Sequence, residues 1–438
     1  MLFVTAHAQG AFLAQGSNVD STSLLSKAET SLESAGGGNL AVQGYTLSSE
    51  QYARAVSYCQ GEYWLYFLRT AYVLLVLGAM VRWRFAPRLR DRAERVSRRM
   101  WMRVLLLTPV LLLVFGVLLL PTDAYAQWHA RRYGLSVQGW ASWLGIWITT
   151  EMTTIICGTL VVGVLYSIIR RSPNRWWLFL WLITVPLFVL IAFIQPVAID
   201  PLFNTFQPLD LSHPELVNTI EALLSRAGLV IPREHIYLLE VSDKSKEVDA
   251  SSEGFGPTKR IFVSDTIIAS EPGPVILHTL GHEIGHYMLR LDWILFAIGV
   301  PLSLGFLYVV DRTFVWVLSR WGSEWQIRSP DDYASLPVLA LIFALLAVVL
   351  TPAVNTLSRY REQEADRYGL ELIHNIVPKA GEAAARAFQN DAEINLSDPA
   401  PSAFVKWWLF DHPPVNDRII FCRTYDPWSS GRSPRYVQ

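Results

Sequence analysis

The chain has 438 residues, a mass of 49.5 kDa and a formal net charge of −1. The net charge alone says nothing about nucleic acid, but the basic residues do not interleave with aromatics as a strand-binding groove requires, and a mean hydropathy of +0.27 with only 17% charged residues falls outside the usual soluble range, where about 25% are charged. Three scattered cysteines, Cys59, Cys157 and Cys422, exclude a disulfide framework and a thiolate metal site, so any metal must be held by histidine and carboxylate.

In chain order, residues 1–9 end in the triplet Ala6-His7-Ala8, either the tail of a signal peptide or an unstructured terminus, since the apolar run before it is short. Residues 16–57 are Ser/Gly-rich around Gly36-Gly37-Gly38 and complete an expected N-terminal arm, 1–57, weakly ordered or partly helical. Apolar runs at 63–81, 104–120, 143–169 and 176–198 each approach the roughly 17–25 residues that cross a bilayer as a helix, and place four spans in 58–198. Arg69 and Glu151 lie inside two of them, where charge is costly; a polar chamber and a structural ion pair are both open readings. Two more spans, at 293–310 and 336–354, fall in 291–354 and separate two soluble segments, 199–290 and 355–438. A chain that crosses twice returns to its starting side, so these segments can form one domain.

The first soluble segment ends in an apolar, helix-compatible run, 275–289, containing His282-Glu283-Ile284-Gly285-His286. On a helix the two imidazoles share a face and can grip one zinc ion, while the glutamate beside them can take a proton from water. The alternative is an ordinary pair of helix histidines. His278, one turn earlier, is expected to be a hydrogen-bonded helix histidine. Catalytic zinc needs a third protein ligand and an open position, which the second soluble segment has to supply. Helical spacing puts Glu362 and Asp366 on one face, the first to bind metal and the second to orient a ligand histidine; a solvated charged helix is the competing reading.

Three motifs in order, Gly281-His282-Glu283-Ile284-Gly285-His286, then Asn355-x-x-Ser358-Arg359-x-x-Glu362-x-x-Ala365-Asp366, then His412-Pro413-Pro414 with Arg418-Ile419, resemble the integral-membrane CAAX prenyl protease family of zinc endopeptidases. The resemblance runs from about residue 49 to about 420. With the about six spans read from hydropathy, where the family has seven, it implies a mainly α, polytopic transmembrane helical bundle carrying a zincin-like α+β metalloprotease domain. It also implies one Zn2+ per chain on His282, His286 and Glu362, with Glu283 as general base, His412 and Arg418 near the substrate carbonyl, and Asn355 and Asp366 around the ligands. The family's substrate-pairing edge strand corresponds to Asp249-Ala250-Ser251, which departs from the usual Asn-Ala-Tyr-like pattern, and the strand after it to 259–266. The family's first helix has no counterpart among the expected spans, the chain's first span resembling the family's second.

The expected reaction is zinc-dependent hydrolysis of peptide or membrane-protein substrates at a lipid bilayer. A membrane quality-control endopeptidase is preferred over strict prenyl processing. A transporter with structural zinc and an inactive binding scaffold are the rivals; the spans show no obvious inverted repeat, and Glu283, Glu362 and His412 are intact. Arginines crowd the first and third loops, 82–103 and 170–175, whereas the second has only Arg131 and Arg132. This asymmetry places those loops in the cytoplasm and the catalytic segments outside, in a multi-pass protein of a bacterial inner membrane. The eukaryotic relatives, whose catalytic domain faces the cytosol, argue the other way.

Overall fold

The computed structural model describes residues 44–195, 205–240, 250–254 and 259–437. Six described helices are long and apolar enough to cross a membrane. The first, α1 (Ser49–Arg82), is opened by a capping box between Ser48 and Gln51, and so begins earlier than hydropathy indicated. Residues 49–57 of the expected arm are therefore its first turns, whereas 1–43 lie outside the described residues. Hydropathy marks only the lipid-facing part. The polar start of α1 is helical because Ala55, Tyr58 and Cys59 bury against Leu396 of the catalytic region.

A short amphipathic helix, α2 (Phe85–Val96), follows, then the spans α3 (Met100–Arg132), α4 (Trp140–Arg171) and α5 (Trp176–Ile194). Their shared core includes Leu107, Tyr166, Ile169 and Trp176 together with Phe314 and Ile342 of later spans. Buried polar groups are paired across it: the Trp176 indole donates to Asp311 at 2.6 Å, and Tyr166 and Ser335 share a hydroxyl contact of 2.8 Å. The outward side chains of α4 and α5, such as Leu160 and Phe188, stay exposed, as lipid-facing residues must.

The first catalytic segment contains β1 (Thr205–Pro208), α6 (Pro214–Arg226), β2 (Ile236–Glu240), β3 (Ala250–Glu253), β4 (Arg260–Ser264), α7 (Asp265–Ser270) and α8 (Gly273–Met288). The strand order is β1-β2-β4-β3, with β2 and β4 parallel and the other pairs antiparallel. The strand expected over 259–266 ends at Ser264, whose hydroxyl accepts from the Ile267 amide and turns the chain into α7. Val217, Ile220 and Leu223 of α6, Ile261 and Val263 of β4, and Ile276, Leu280 and Ile284 of α8 form one core.

The chain recrosses through α9 (Leu291–Trp321) and returns along α10 (Leu336–Ile373), then ends in α11 (Ala380–Ile394), α12 (Ala403–Leu409) and α13 (Val415–Thr424). The boundary expected at 354/355 falls inside α10. The drop in hydropathy there marks where the helix leaves lipid, not where it stops, and one rod runs from the bilayer into the catalytic domain.

Candidate metal centre

Two helices build the site, and glycines set their separation. A Cβ added at Gly281 of α8 would stand 3.2 Å from the Gly369 backbone of α10, and one added at Gly369 would stand 2.8 Å from the His282 amide nitrogen. Backbones this close let a short carboxylate on α10 reach imidazoles on α8. His282 Nε2 lies 3.2 Å from Glu362 Oε2, His286 Nε2 lies 3.5 Å from the same oxygen, and the two Nε2 atoms are 3.1 Å apart. Glu362 Oε1 takes a hydrogen bond from Arg361 at 2.6 Å, whereas buried Oε2 has no hydrogen-bond donor among the described residues. Two imidazole nitrogens converging with this carboxylate oxygen make three lone-pair donors that could hold a cation. Glu283 sits half-buried on α8 between the two histidines.

Behind the donors runs a charged chain. His282 Nδ1 contacts Asp366 Oδ1 at 2.8 Å, and Arg418 grips the same carboxylate with Nε at 2.8 Å and Nη2 at 2.5 Å. Burial disfavours the charged His282 ring, but Asp366 and Glu362 outweigh it and raise the pKa to about 9. The Asp366 contact fixes the Nδ1 side of the ring and leaves Nε2 facing Glu362. Arg418 was expected beside the substrate carbonyl. In the structure two of its nitrogens are held by Asp366 and its guanidinium stacks 3.9 Å over Phe388, because a buried carboxylate needs a charge partner.

His412 does reach the cluster, with Nε2 3.4 Å from Glu362 Oε2, Nδ1 3.0 Å from Asp411 and half its side chain exposed. The hydrogen-bonded His412 ring holds the Asp411 carboxyl below its ordinary range. Asn355 stands elsewhere than expected. It precedes Glu362 by two helical turns, about 10 Å along α10, and its amide donates to the Trp408 carbonyl at 2.7 Å. Arg359, one turn on, donates to the Lys406 carbonyl at 3.0 Å and to that of Phe410. Carbonyls at a helix C-terminus lack intrahelical partners, so this pair caps α12 and fixes the backbone that leads into Asp411 and His412. Sequence reasoning missed the clamp; its only trace was the spacing of Asn355, Arg359 and Glu362 along one helix face.

His278 is another correction. It is buried against Phe388, ring centroids 5.3 Å apart, and neither nitrogen has a hydrogen-bond partner among the described residues. Burial pushes its pKa down to about 3, so it is a neutral packing residue. Of the expected substrate strand, Asp249 lies outside the described residues, while Ala250 and Ser251 pair with Val263 and Phe262 in β3, the end strand of the sheet, which lies against α8. The Ala250 side chain is buried in the core, so anything docking there meets its backbone. Arg69 and Glu151 do not pair with each other: Arg69 bridges to Asp123 at 2.7 Å, and the Glu151 carboxyl rests against Gly116.

Six apolar helices joined to a sheet-backed domain with this two-histidine, one-carboxylate cluster define an integral-membrane metalloendopeptidase. The model of peptidase family M48 matches residues 210–425, and that of the CAAX prenyl protease N-terminal region, five membrane helices, matches 41–205. The chain belongs to peptidase family M48. Bacillus subtilis metalloprotease YhfN is 36% identical over 310 residues, 71% of each chain. CAAX prenyl protease 1 of Saccharomyces cerevisiae is 28% identical over 295 residues, 63% of this chain and 62% of that one. The crystal structure of S. mikatae Ste24p shares the fold with a TM-score of 0.71 at 19% identity, covering 86% of this chain and 90% of that one.

Proposed function

We propose that this membrane metalloendopeptidase is zinc-dependent, with one ion per chain on His282, His286 and Glu362, and that it cleaves peptide segments presented in extended form. The observation that carries this reading is the donor spacing. Tetrahedral zinc with bonds of roughly 2.0–2.1 Å separates its ligand atoms by about 3.3 Å, and the three donors here are 3.1, 3.2 and 3.5 Å apart. Two come from α8 and one from a helix that has since crossed the bilayer, so the spacing is a product of the whole fold. Zinc in such a set supplies Lewis acidity and lowers the pKa of water toward about 7.

The chain's own residues do the rest. Glu283 accepts the proton of the attacking water and returns it to the leaving amine. His412, exposed on the open side of Glu362, donates a hydrogen bond to the oxyanion that develops on the scissile carbonyl. Asp366 and Arg418 hold His282 in register. A substrate strand adds to the edge of β3 that no described strand pairs, in backbone register beside α8. The names of the eukaryotic relatives point to prenylated substrates for those proteins; with Ala250-Ser251 at the edge in place of the family's pattern, general cleavage of membrane-protein segments is the preferred reading here.

Glu283→Gln should keep its metal and lose about 10²–10⁴ in chelator-sensitive peptide cleavage by purified protein. Retained turnover in that variant rejects Glu283 as the base, and stoichiometric zinc without any cleavage by the wild type rejects the enzyme reading. The arginine asymmetry supports an extracytoplasmic catalytic side in a bacterial inner membrane. Ser212→Cys, at an exposed position of the catalytic segment, should react with an impermeant thiol reagent added outside intact cells; protection there reverses the orientation.

A further inference from the structure

The end of the bundle remote from the metal cluster is built from the close of α1, α2, the ends of α3, α4, α5 and α9, and the 322–335 loop. Its acidic groups are mostly tied up within the fold. Asp332 is bound by buried Arg90, Glu94 by Arg328 at 2.8 Å and Arg103 at 3.3 Å, and Asp331 by Arg170 at 3.5 Å. What is left over is cationic: Arg88, Arg92, Arg95, Arg98, Arg171 and Arg175 are exposed and have no acidic partner among the described residues. A cavity of about 480 Å³ opens on the same face beside Arg90 and Arg328, but both of those guanidiniums are already paired, so it is not the source of the excess charge.

Two further observations define what fits this surface. Trp83 and Trp101 flank α2 and are 68% and 56% exposed, as indoles at the headgroup level of a bilayer are, so the arginines stand where lipid phosphates lie. Among the described residues every cation on this rim is arginine, while the described lysines, Lys259, Lys379 and Lys406, fall elsewhere. Orientation in a membrane needs only positive charge; a guanidinium additionally grips phosphate oxygens in two-pronged fashion. We propose that the arginine rim around α2 is a binding surface for the headgroups of acidic phospholipids, anchoring the bundle at the end opposite its catalytic domain. The proposal does not depend on the reaction or on which compartment the rim faces.

The test uses full-length protein exchanged into detergent with equal dioleoyl-phosphatidylglycerol and dioleoyl-phosphatidylcholine, the bound lipids being counted by native mass spectrometry. An arginine near an anionic surface is worth about five-fold in binding, so wild type should retain the acidic lipid at least about tenfold over the neutral one. R88Q/R92Q/R95Q/R98Q should bring that ratio close to parity. R131Q/R132Q, on the opposite rim, should leave it unchanged. Raising salt from about 0.1 M to about 0.5 M should erode the wild-type preference, a readout that needs no variant to fold. Equal retention by wild type, a preference untouched by salt or by the fourfold substitution, or displacement of the acidic lipid by millimolar inorganic phosphate would each overturn the proposal.

Discussion

Two groups of buried charge lie along the same bundle and are wired differently. At the catalytic end, Arg418 holds Asp366 through two nitrogens, Asp366 holds His282, and the free faces of His282, His286 and Glu362 converge. Within the spans, Arg69 reaches Asp123 through one nitrogen at 2.7 Å, the Trp147 indole adds a contact at 3.2 Å, and Glu151 Oε1 is buried without a partner among the described residues. Both groups are sequestered from solvent, yet only the first aims unshared lone pairs at a single point. Charge in an apolar region therefore does not by itself mark a reactive centre; convergence held from behind by two-point contacts does.

The contrast can be broken by substitution. The largest effect is expected in front of the cluster, where Arg359→Ala frees the end of α12 and His412→Ala removes the exposed imidazole. Each should lower kcat by about 10²–10³ with metal content unchanged. Because Arg359 acts through the position of His412, the double variant should be no slower than His412→Ala alone. Independent losses that multiply would separate the clamp from the imidazole.

Behind the cluster, Asp366→Asn should weaken metal affinity by about 10–100-fold in competition with a chelator, while Asp123→Asn in the spans should leave affinity where it was. Equal effects would erase the distinction between the two groups. The helix crossing gives a smaller effect. Gly369→Ala drives a methyl against the His282 backbone and should cost about 1–3 kcal/mol in thermal unfolding, whereas Gly299→Ala, with open space around it in α9, should be neutral or slightly stabilising.

The remaining effect is pH-dependent. The folded pKa of His278, about 3, lies below the roughly 6.5 of an unfolded imidazole, so below that pH the unfolded chain binds more protons. Stability should fall on acidification from about pH 6.5 toward 3, by up to ~1.4 kcal/mol per pH unit from this residue, and His278→Leu should flatten that slope. An unchanged acid profile would remove His278 as the cause.

Much of the architecture was legible because its signals are local. Hydropathy located six spans, and the spacing of His282 with His286 and of Glu362 with Asp366 put each pair on one helix face. The unread features depend on what a side chain meets far along the chain. Nothing within 355–366 tells that the Asn355 amide finds a carbonyl at Trp408, or that Arg359 finds two more on either side of it. The motif placed Arg418 near the substrate, and gave no sign that its guanidinium also grips Asp366. The continuity of α10 was hidden because a change in hydropathy resembles an element boundary when no helix-breaking signal is weighed against it. His278 was expected to find a hydrogen-bond partner as buried polar groups generally do, and packed against Phe388 it finds none among the described residues.

Metal counting bears most directly on the central claim, that α8 and α10 jointly hold one ion. Purified wild type and Glu362→Gln should be compared by elemental analysis after equilibration with a zinc buffer, with X-ray absorption on the wild type. The expected result is one zinc per chain bound by nitrogen and oxygen donors, and its loss in Glu362→Gln. A full zinc complement in the variant, or sulfur in the wild-type coordination shell, would contradict the account.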